Sequence, residues 1–310
     1  MNAGFNGLSA SQDGIVSSLE DRILKIAQIA GDYETDIPAI TVHRRDDVSD
    51  PVPCIYDLGL AITIAGQKQV SVGTELYVNE PGQGLLASVD LPVSSGVTQA
   101  SSSNPYLGIM LRLDSRLALQ VAAGLSLPRP SRDPGFKGLT QGTLDSKLLE
   151  ALDRLMALLD EPRLLSTVSP LIQQEILARL LLSPYGPQFI ALNASGTPSR
   201  QVAQAMAWLK QHYMEPINID RLAETSHMSP STFRHHFKAV AGISPLQYLK
   251  QVRLQEARCL MLNHNLDAGA AGLRVGYESV SQFSREYARL FGQPPLRDIN
   301  NLRTQITAEA

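Results

Sequence analysis

The chain is poor in the residues that build covalent or metal-held frameworks. Its 310 residues include two cysteines, Cys54 and Cys259, and a single tryptophan. Cysteines so far apart give neither a disulfide framework nor the paired spacing of a zinc site, and they suit a reducing compartment. No run of about 18 apolar residues occurs, so no membrane span or membrane partner is expected. The opening stretch MNAGFNGLSASQDGIVSSLEDRILK lacks a basic start followed by an apolar block, which argues against a secretory signal. A cytoplasmic location is expected. Glycine-rich phosphate loops, clustered cysteines and a nucleophile elbow are missing too, so neither enzyme activity nor a cofactor is expected.

What is there divides into two parts, and the length suffices for two ordinary domains. The formal charge of −3 hides an uneven spread: from Ser199 onward 13 Lys and Arg stand against 9 Asp and Glu, leaving 14 against 21 before it. A mildly basic C-terminal third on an acidic body fits a nucleic-acid module joined to something else. Ordinary scatter of surface charge is the competing reading.

Ile15, Leu19, Ile23, Ile26 and Ala30 mark one face of a helix. From about Ala39 to Leu113 short runs such as AITV, CIYDLGLAITI, KQVSV, ELYVN and YLGIMLRL are punctuated by Gly, Pro and Asn, which predicts a compact antiparallel barrel or sandwich. Two Leu-rich seams follow, Leu144, Leu148, Leu152, Leu155 and Leu159, then Leu171, Ile172, Ile176 and Leu180. Such seams pack on the barrel or pair with another subunit, and both readings stay open. Residues 183–199, rich in Pro and Gly, read as a linker. Everything beyond reads as helical.

In that last part MSPSTFRHHFKAVAGISP (228–245) recurs 50 residues later as ESVSQFSREYARLFGQPP (278–295). Ser229 pairs with Ser279, Ser231 with Ser281, Phe233 with Phe283, Phe237 with Tyr287 and Gly242 with Gly292. Each copy starts on a capping serine, with Pro230 at the first helical position in one and a Ser279–Gln282 capping box in the other. Each ends on a glycine suited to a left-handed cap. Phe233, Phe237 and Val240, like Phe283, Tyr287 and Leu290, point inward at helical spacing. The outward stripes are Ser231, Arg234, His235 and Lys238, then Ser281, Ser284, Arg285 and Ala288. A solvated face would carry these without direction, whereas a helix in a major groove uses them. Arginine spans guanine O6 and N7, discriminating by about 1–3 kcal/mol, and serine permits close approach.

A helix-turn-helix also needs a small residue where its helices cross and a positive-φ residue in its turn. Gly272 and Gly276 fill these places in the second copy, Ala223 and His227 in the first. A connecting helix of about 18 residues, roughly 27 Å at 1.5 Å per residue, suits two reading helices near one DNA turn, about 34 Å, apart.

On these residues the stretch 200–303 resembles the DNA-binding domain of the AraC/XylS family of bacterial regulators. LAETSHMSPSTFRHHFKAVAGISPLQYL and RVGYESVSQFSREYARLFGQPPLRDI carry the likeness. The resemblance implies a seven-helix, two-motif domain, usually an activator of transcription, behind a domain that binds an effector, dimerises, or both. By position, Ser231, Arg234 and His235 would face bases in one groove, and Ser281, Gln282, Ser284 and Arg285 in the next. Thr232 and Lys238 would contact phosphate or rim. His227, Ala288 and Pro294 depart from the family pattern, and with Glu286 beside Ala288 the first motif is expected to supply more of the affinity.

More loosely, residues 1–182 resemble the cupin-like barrel of one large subgroup. The expected fold is then a mainly-β cupin-like barrel with flanking helices, followed by an all-α domain with two helix-turn-helix motifs. Cupins often hold a metal through two or three His and a Glu, but His43 is the one histidine before residue 199, so no metal is expected. An apolar interior remains, with Tyr56, Leu58, Leu60, Tyr77, Leu86 and Met110 as wall candidates and plain core the stronger reading for each. The expected partners are double-stranded DNA, an unidentified small-molecule effector, a second copy of the chain and RNA polymerase. Two other readings stand beside this one: a dimerisation module without a ligand, and an enzyme tethered to DNA.

Overall fold

The computed structural model describes residues 10–125, 127, 136–193 and 196–309. Helix α1 (Ala10–Ile26) leads into nine strands, β1 (Gly31–Glu34), β2 (Ile40–Arg45), β3 (Val52–Tyr56), β4 (Gly59–Ala65), β5 (Gln67–Val72), β6 (Glu75–Asn79), β7 (Gln83–Ala87), β8 (Leu91–Gln99) and β9 (Tyr106–Arg112). Then come α2 (Ser115–Gly124), β10 (Leu139–Thr143), α3 (Ser146–Ala157), α4 (Leu165–Leu182) and α5 (Gly186–Asn193). The last part is helical: α6 (Pro198–Gln211), α7 (Ile219–Thr225), α8 (Pro230–Ala241), α9 (Pro245–Asn263), α10 (Ala268–Arg274), α11 (Val280–Phe291) and α12 (Pro295–Glu309). The stretch read as a linker thus contains α5 and the start of α6.

The strands form two antiparallel sheets, ordered β1-β2-β9-β4-β7-β10 and β3-β8-β5-β6. Side chains alternate between faces along a strand, so β4 and β7 of the larger sheet serve two cores. Leu60, Ile62 and Ile64 of β4 and Leu107, Ile109 and Leu111 of β9 pack outward with Leu19 and Ile23 of α1 and Leu152 of α3. Tyr56, Val70, Leu85, Ala87, Leu91 and Val93 belong to the second core. The alternation decides between core and wall for three of the candidates, in favour of the plain-core reading. Leu60 and Leu86 join the core beneath the helices, and Leu58 packs against that core as well. Tyr56 and Tyr77 do pack with the second core, and Met110 is half-buried.

Most of the two Leu-rich seams packs within the chain. Leu148, Leu152 and Leu155 of α3 and Ile172, Ile176 and Leu180 of α4 are buried in one cluster with α1. Arg22 reinforces this layer by reaching Asp153 on α3 at 2.9 Å. Leu171 and Leu182 lie on the exposed side of α4. Behind α4, the buried Tyr185 hydroxyl donates to the carbonyls of Gly84 and Gly142 at 3.0 and 2.6 Å.

The second core does not stop at the sheet. Val202 and Ala205 of α6, Phe233, Phe237 and Val240 of α8 and Tyr248 of α9 belong to the same buried cluster as Val70 and Leu91. The helical part therefore covers the end of the smaller sheet where β3 finishes, β8 starts and β5 turns into β6. Polar ties surround the apolar contact. Lys210 pairs with Asp57 at 2.8 Å and Asp90 at 3.0 Å, Tyr248 donates to the Asp90 carbonyl at 3.1 Å, and Gln255 to the Pro53 carbonyl at 2.7 Å. Burial alone would lower the Lys210 ammonium, but Asp57 and Asp90 outweigh it and raise it.

Candidate nucleic-acid interface

The two repeated helices are framed in the same way at both ends. Asn218 caps α7 through the backbone N–H of Asp220 and Arg221. The chain then turns at His227, whose φ of 55° lies in the left-handed region, and the Met228 N–H returns to the Ala223 carbonyl at 3.0 Å. Ser229 caps α8 through the N–H of Thr232, and Gly242 ends it at φ 72°. In the second copy Asp267 caps α10, the turn residue Gly276 has φ 91°, and the Tyr277 N–H returns to Gly272 at 3.0 Å. Ser279 caps α11 through Gln282, and Gly292 ends it at φ 76°. The crossing positions must be small. Ala223 is fully buried, and a Cβ on Gly272 would stand 2.9 Å from Phe283 Cγ.

One cap differs from the sequence expectation. The Gln282 amide turns to Glu286 at 3.2 Å rather than back to the backbone of Ser279. The reciprocal capping box forms at Ser244 and Gln247, at the start of α9.

The connecting helix α9 has 19 residues, roughly 28 Å at 1.5 Å per residue. Its side chains bind both motifs. Arg253 donates to the carbonyls of Tyr213 at 2.7 Å, Glu215 at 2.8 Å and Gly276 at 3.1 Å. Arg258 forms a two-pronged pair with Asp298, both bonds at 2.8 Å, and the Tyr287 hydroxyl donates to the same carboxylate at 2.7 Å. Lys250 reaches Glu286 at 2.6 Å, and the Tyr277 hydroxyl donates to Glu286 at 2.8 Å. Burial would raise the Glu286 carboxyl, but bonds from Lys250, Tyr277 and Gln282 outweigh it and hold it low. Glu286 is thus largely spent inside the domain.

Ser231, Thr232, Arg234, His235 and Lys238 are exposed along α8, and Ser281, Gln282 and Arg285 along α11, with Ser284 half-buried. Phe233, Phe237, Phe283 and Tyr287, on the opposite faces, are fully buried. Both arginine candidates already have partners. The Arg234 guanidinium donates to Asp220 on α7, and Arg285 Nε to the Ser281 carbonyl at 3.3 Å. Asp220 carries no sequence signal as a participant, because it lies 14 residues from Arg234. Elsewhere, His43 pairs with Asp32 at 2.6 Å. Burial would raise the Asp32 carboxyl, yet His43 and Arg45 hold it well below the usual carboxylate range. Among the described residues no group of three or more His, Cys, Asp or Glu is placed to hold a metal, and no helix is long and apolar enough to cross a membrane.

Comparison with known proteins adds two family matches. Residues 36–188 match the AraC-type transcriptional regulator N-terminus, and residues 222–299 a helix-turn-helix domain. The chain belongs to the AraC-type family of transcriptional regulators. It is 30% identical over 91 residues to the uncharacterized HTH-type transcriptional regulator YobQ of Bacillus subtilis, covering 29% of this chain and 38% of that one. It is 26% identical over 184 residues to the HTH-type transcriptional activator RhaS of Escherichia coli, covering 59% of this chain and 65% of that one. The chain therefore spans less than two thirds of the length of these curated relatives. The unsaturated fatty acid-bound ToxT of Vibrio cholerae shares the fold at TM-score 0.58, with 10% identity over 84% of this chain and 94% of that chain.

Proposed function

We propose that this chain regulates transcription, most readily as an activator, by setting α8 and α11 into successive major grooves of one duplex face. The observation that carries the reading is the pair of identically framed helices, each with an exposed hydroxyl-and-arginine stripe, tied to one connecting helix. The proposed base contacts are Ser231, Arg234 and His235 in one groove and Ser281, Gln282, Ser284 and Arg285 in the next, with Thr232 and Lys238 on phosphate. The division into 1–182, 183–199 and 200–303 is part of this proposal, as are a cytoplasmic location, absence of enzyme activity, a homodimer and contact with RNA polymerase.

We further propose that the β domain modulates DNA binding through a small-molecule effector. Two things support this: the apolar core shared between sheet and reading helix, and the fatty acid bound by the structural neighbour ToxT. Selection from a random duplex library with the full chain, at stated salt, tests the DNA reading. Enrichment of two short blocks about one turn apart is the expected result. Salt-sensitive binding to every sequence alike, with and without candidate effectors, refutes it.

A further inference from the structure

We propose that Lys68 anchors the carboxylate of a small-molecule effector held between the two sheets. This inference rests on the effector reading above and gives that effector a chemical class.

Lys68 lies on β5 on the same side as Val70 and Val72, which are 0% and 5% exposed, so its side chain runs into the space between the sheets. Its ammonium stands 5.6 Å from the ring centroid of Tyr56 and 5.7 Å from that of Tyr106. Both rings are buried. Several other cations of the β domain have acidic partners: Arg44 pairs with Asp46, Arg45 with Asp32 and Lys137 with Glu75. Among the described residues no carboxylate pairs with Lys68.

An ammonium withdrawn from water without a counter-charge is costly. Aromatic faces and a hydrogen bond with the Tyr56 hydroxyl offset part of that cost, but neither supplies a negative charge at neutral pH. The neighbouring thiol cannot supply the missing charge. Burial pushes the Cys54 thiol up to about 11, outweighing the opposing pull of Lys68, so it stays neutral. The Tyr56 hydroxyl shares a hydrogen bond with Ser95 Oγ at 3.2 Å, leaving a second polar group beside the ammonium.

These surroundings define the ligand. A single positive charge in an apolar wall suits one negative charge with an apolar body. A phosphate dianion would bring a second charge with no partner. A carboxylate also forms the short charge-assisted bonds that an ammonium lacks here. Position gives the site a route to DNA, because β5 carries Lys68 near its start and ends at Val72, beside Gly73, whose backbone abuts Gly242 at the end of α8.

The test is calorimetric titration of the full chain with straight-chain carboxylates from butanoate to hexadecanoate. Each is paired with the primary alcohol of equal length, and inorganic phosphate is run alongside. At least one carboxylate is expected to saturate and to bind about tenfold or more tightly than its alcohol. Lys68→Met should abolish that ratio and Lys68→Arg retain most of it. A ratio near one in the wild type overturns the inference, and this arm needs no variant to fold. Phosphate binding in place of carboxylate, or no saturable binding by any probe, also overturns it. Duplex selection on the same preparation reports separately on the regulator reading. Selected sequences without carboxylate binding remove Lys68 alone, and carboxylate binding without selected sequences removes the regulator reading.

Discussion

The backbone N–H of Gly138 donates to the carbonyl of Val240 across 3.0 Å, joining the β domain to the last turn of the first reading helix. A Cβ at Gly138 would stand 2.7 Å from that oxygen, and a Cβ at Gly73, where φ is 59°, would stand 2.4 Å from the Gly242 carbonyl. Gly138→Ala and Gly73→Ala should each weaken this seam by roughly 1–3 kcal/mol. Scanning calorimetry should then show the helical part melting apart from the sheets. A single transition at the wild-type temperature would count against the seam as a coupling element.

On the DNA side, the first motif should dominate. Replacing both Arg234 and Lys238 with alanine is expected to weaken binding to the selected duplex more than Arg285→Ala, by about 1–3 kcal/mol for each base-reading side chain removed. Because Asp220 occupies Arg234 in the free protein, Asp220→Asn should strengthen binding a few-fold by removing a competitor and a negative charge. Fluorescence anisotropy at several salt concentrations measures both effects. A greater weakening by Arg285→Ala would reverse the ranking.

The two turns should respond in opposite directions. His227 carries a left-handed φ of 55° that glycine adopts freely, so His227→Gly should stabilise the protein slightly, by about 0.5–1 kcal/mol. At Gly276 a Cβ would meet the Met214 carbonyl at 2.7 Å as well as bearing φ 91°. Gly276→Ala should therefore destabilise by roughly 2 kcal/mol or more. Urea denaturation followed by circular dichroism gives both signs.

Acid should loosen the second motif through Glu286. Its folded pKa lies below its ordinary 4.5, so the stabilisation is complete above about that pH and disappears as pH falls through the lowered value. With its side chain 17% exposed, Glu286→Gln should cost about 1–2 kcal/mol at neutral pH and flatten the acid limb of the stability profile. An unchanged slope between wild type and variant would place the acid sensitivity elsewhere.

The helical half is legible in the sequence because its signals are local. Serine caps, glycine ends and the turn positions Ala223, His227, Gly272 and Gly276 each act within a few residues of chain. The sheets are harder to read. Leu60 and Leu86 look like barrel lining in a linear run, yet pairing register turns them toward α1 and α4, and a register shift between Thr63 and Ala65 breaks the simple alternation along β4. Lys68 gives little signal because GQKQVSV reads as a polar strand. Its even spacing with Val70 and Val72 is the one clue the sequence offers. Partnerships such as Arg234 with Asp220 and Glu286 with Lys250 depend on how helices lie across one another, which no short window of sequence encodes.

The seam at the end of α8 consists of main chain meeting main chain: Gly138 and Gly73 on one side, Val240 and Gly242 on the other. The main-chain bond itself involves no side chain that could be titrated, oxidised or phosphorylated. Acidity, redox state and modifying enzymes have no direct grip on it. Only displacement of the strands themselves can open it, so whatever message the β domain sends to the reading helix through this point must arrive as mechanical strain.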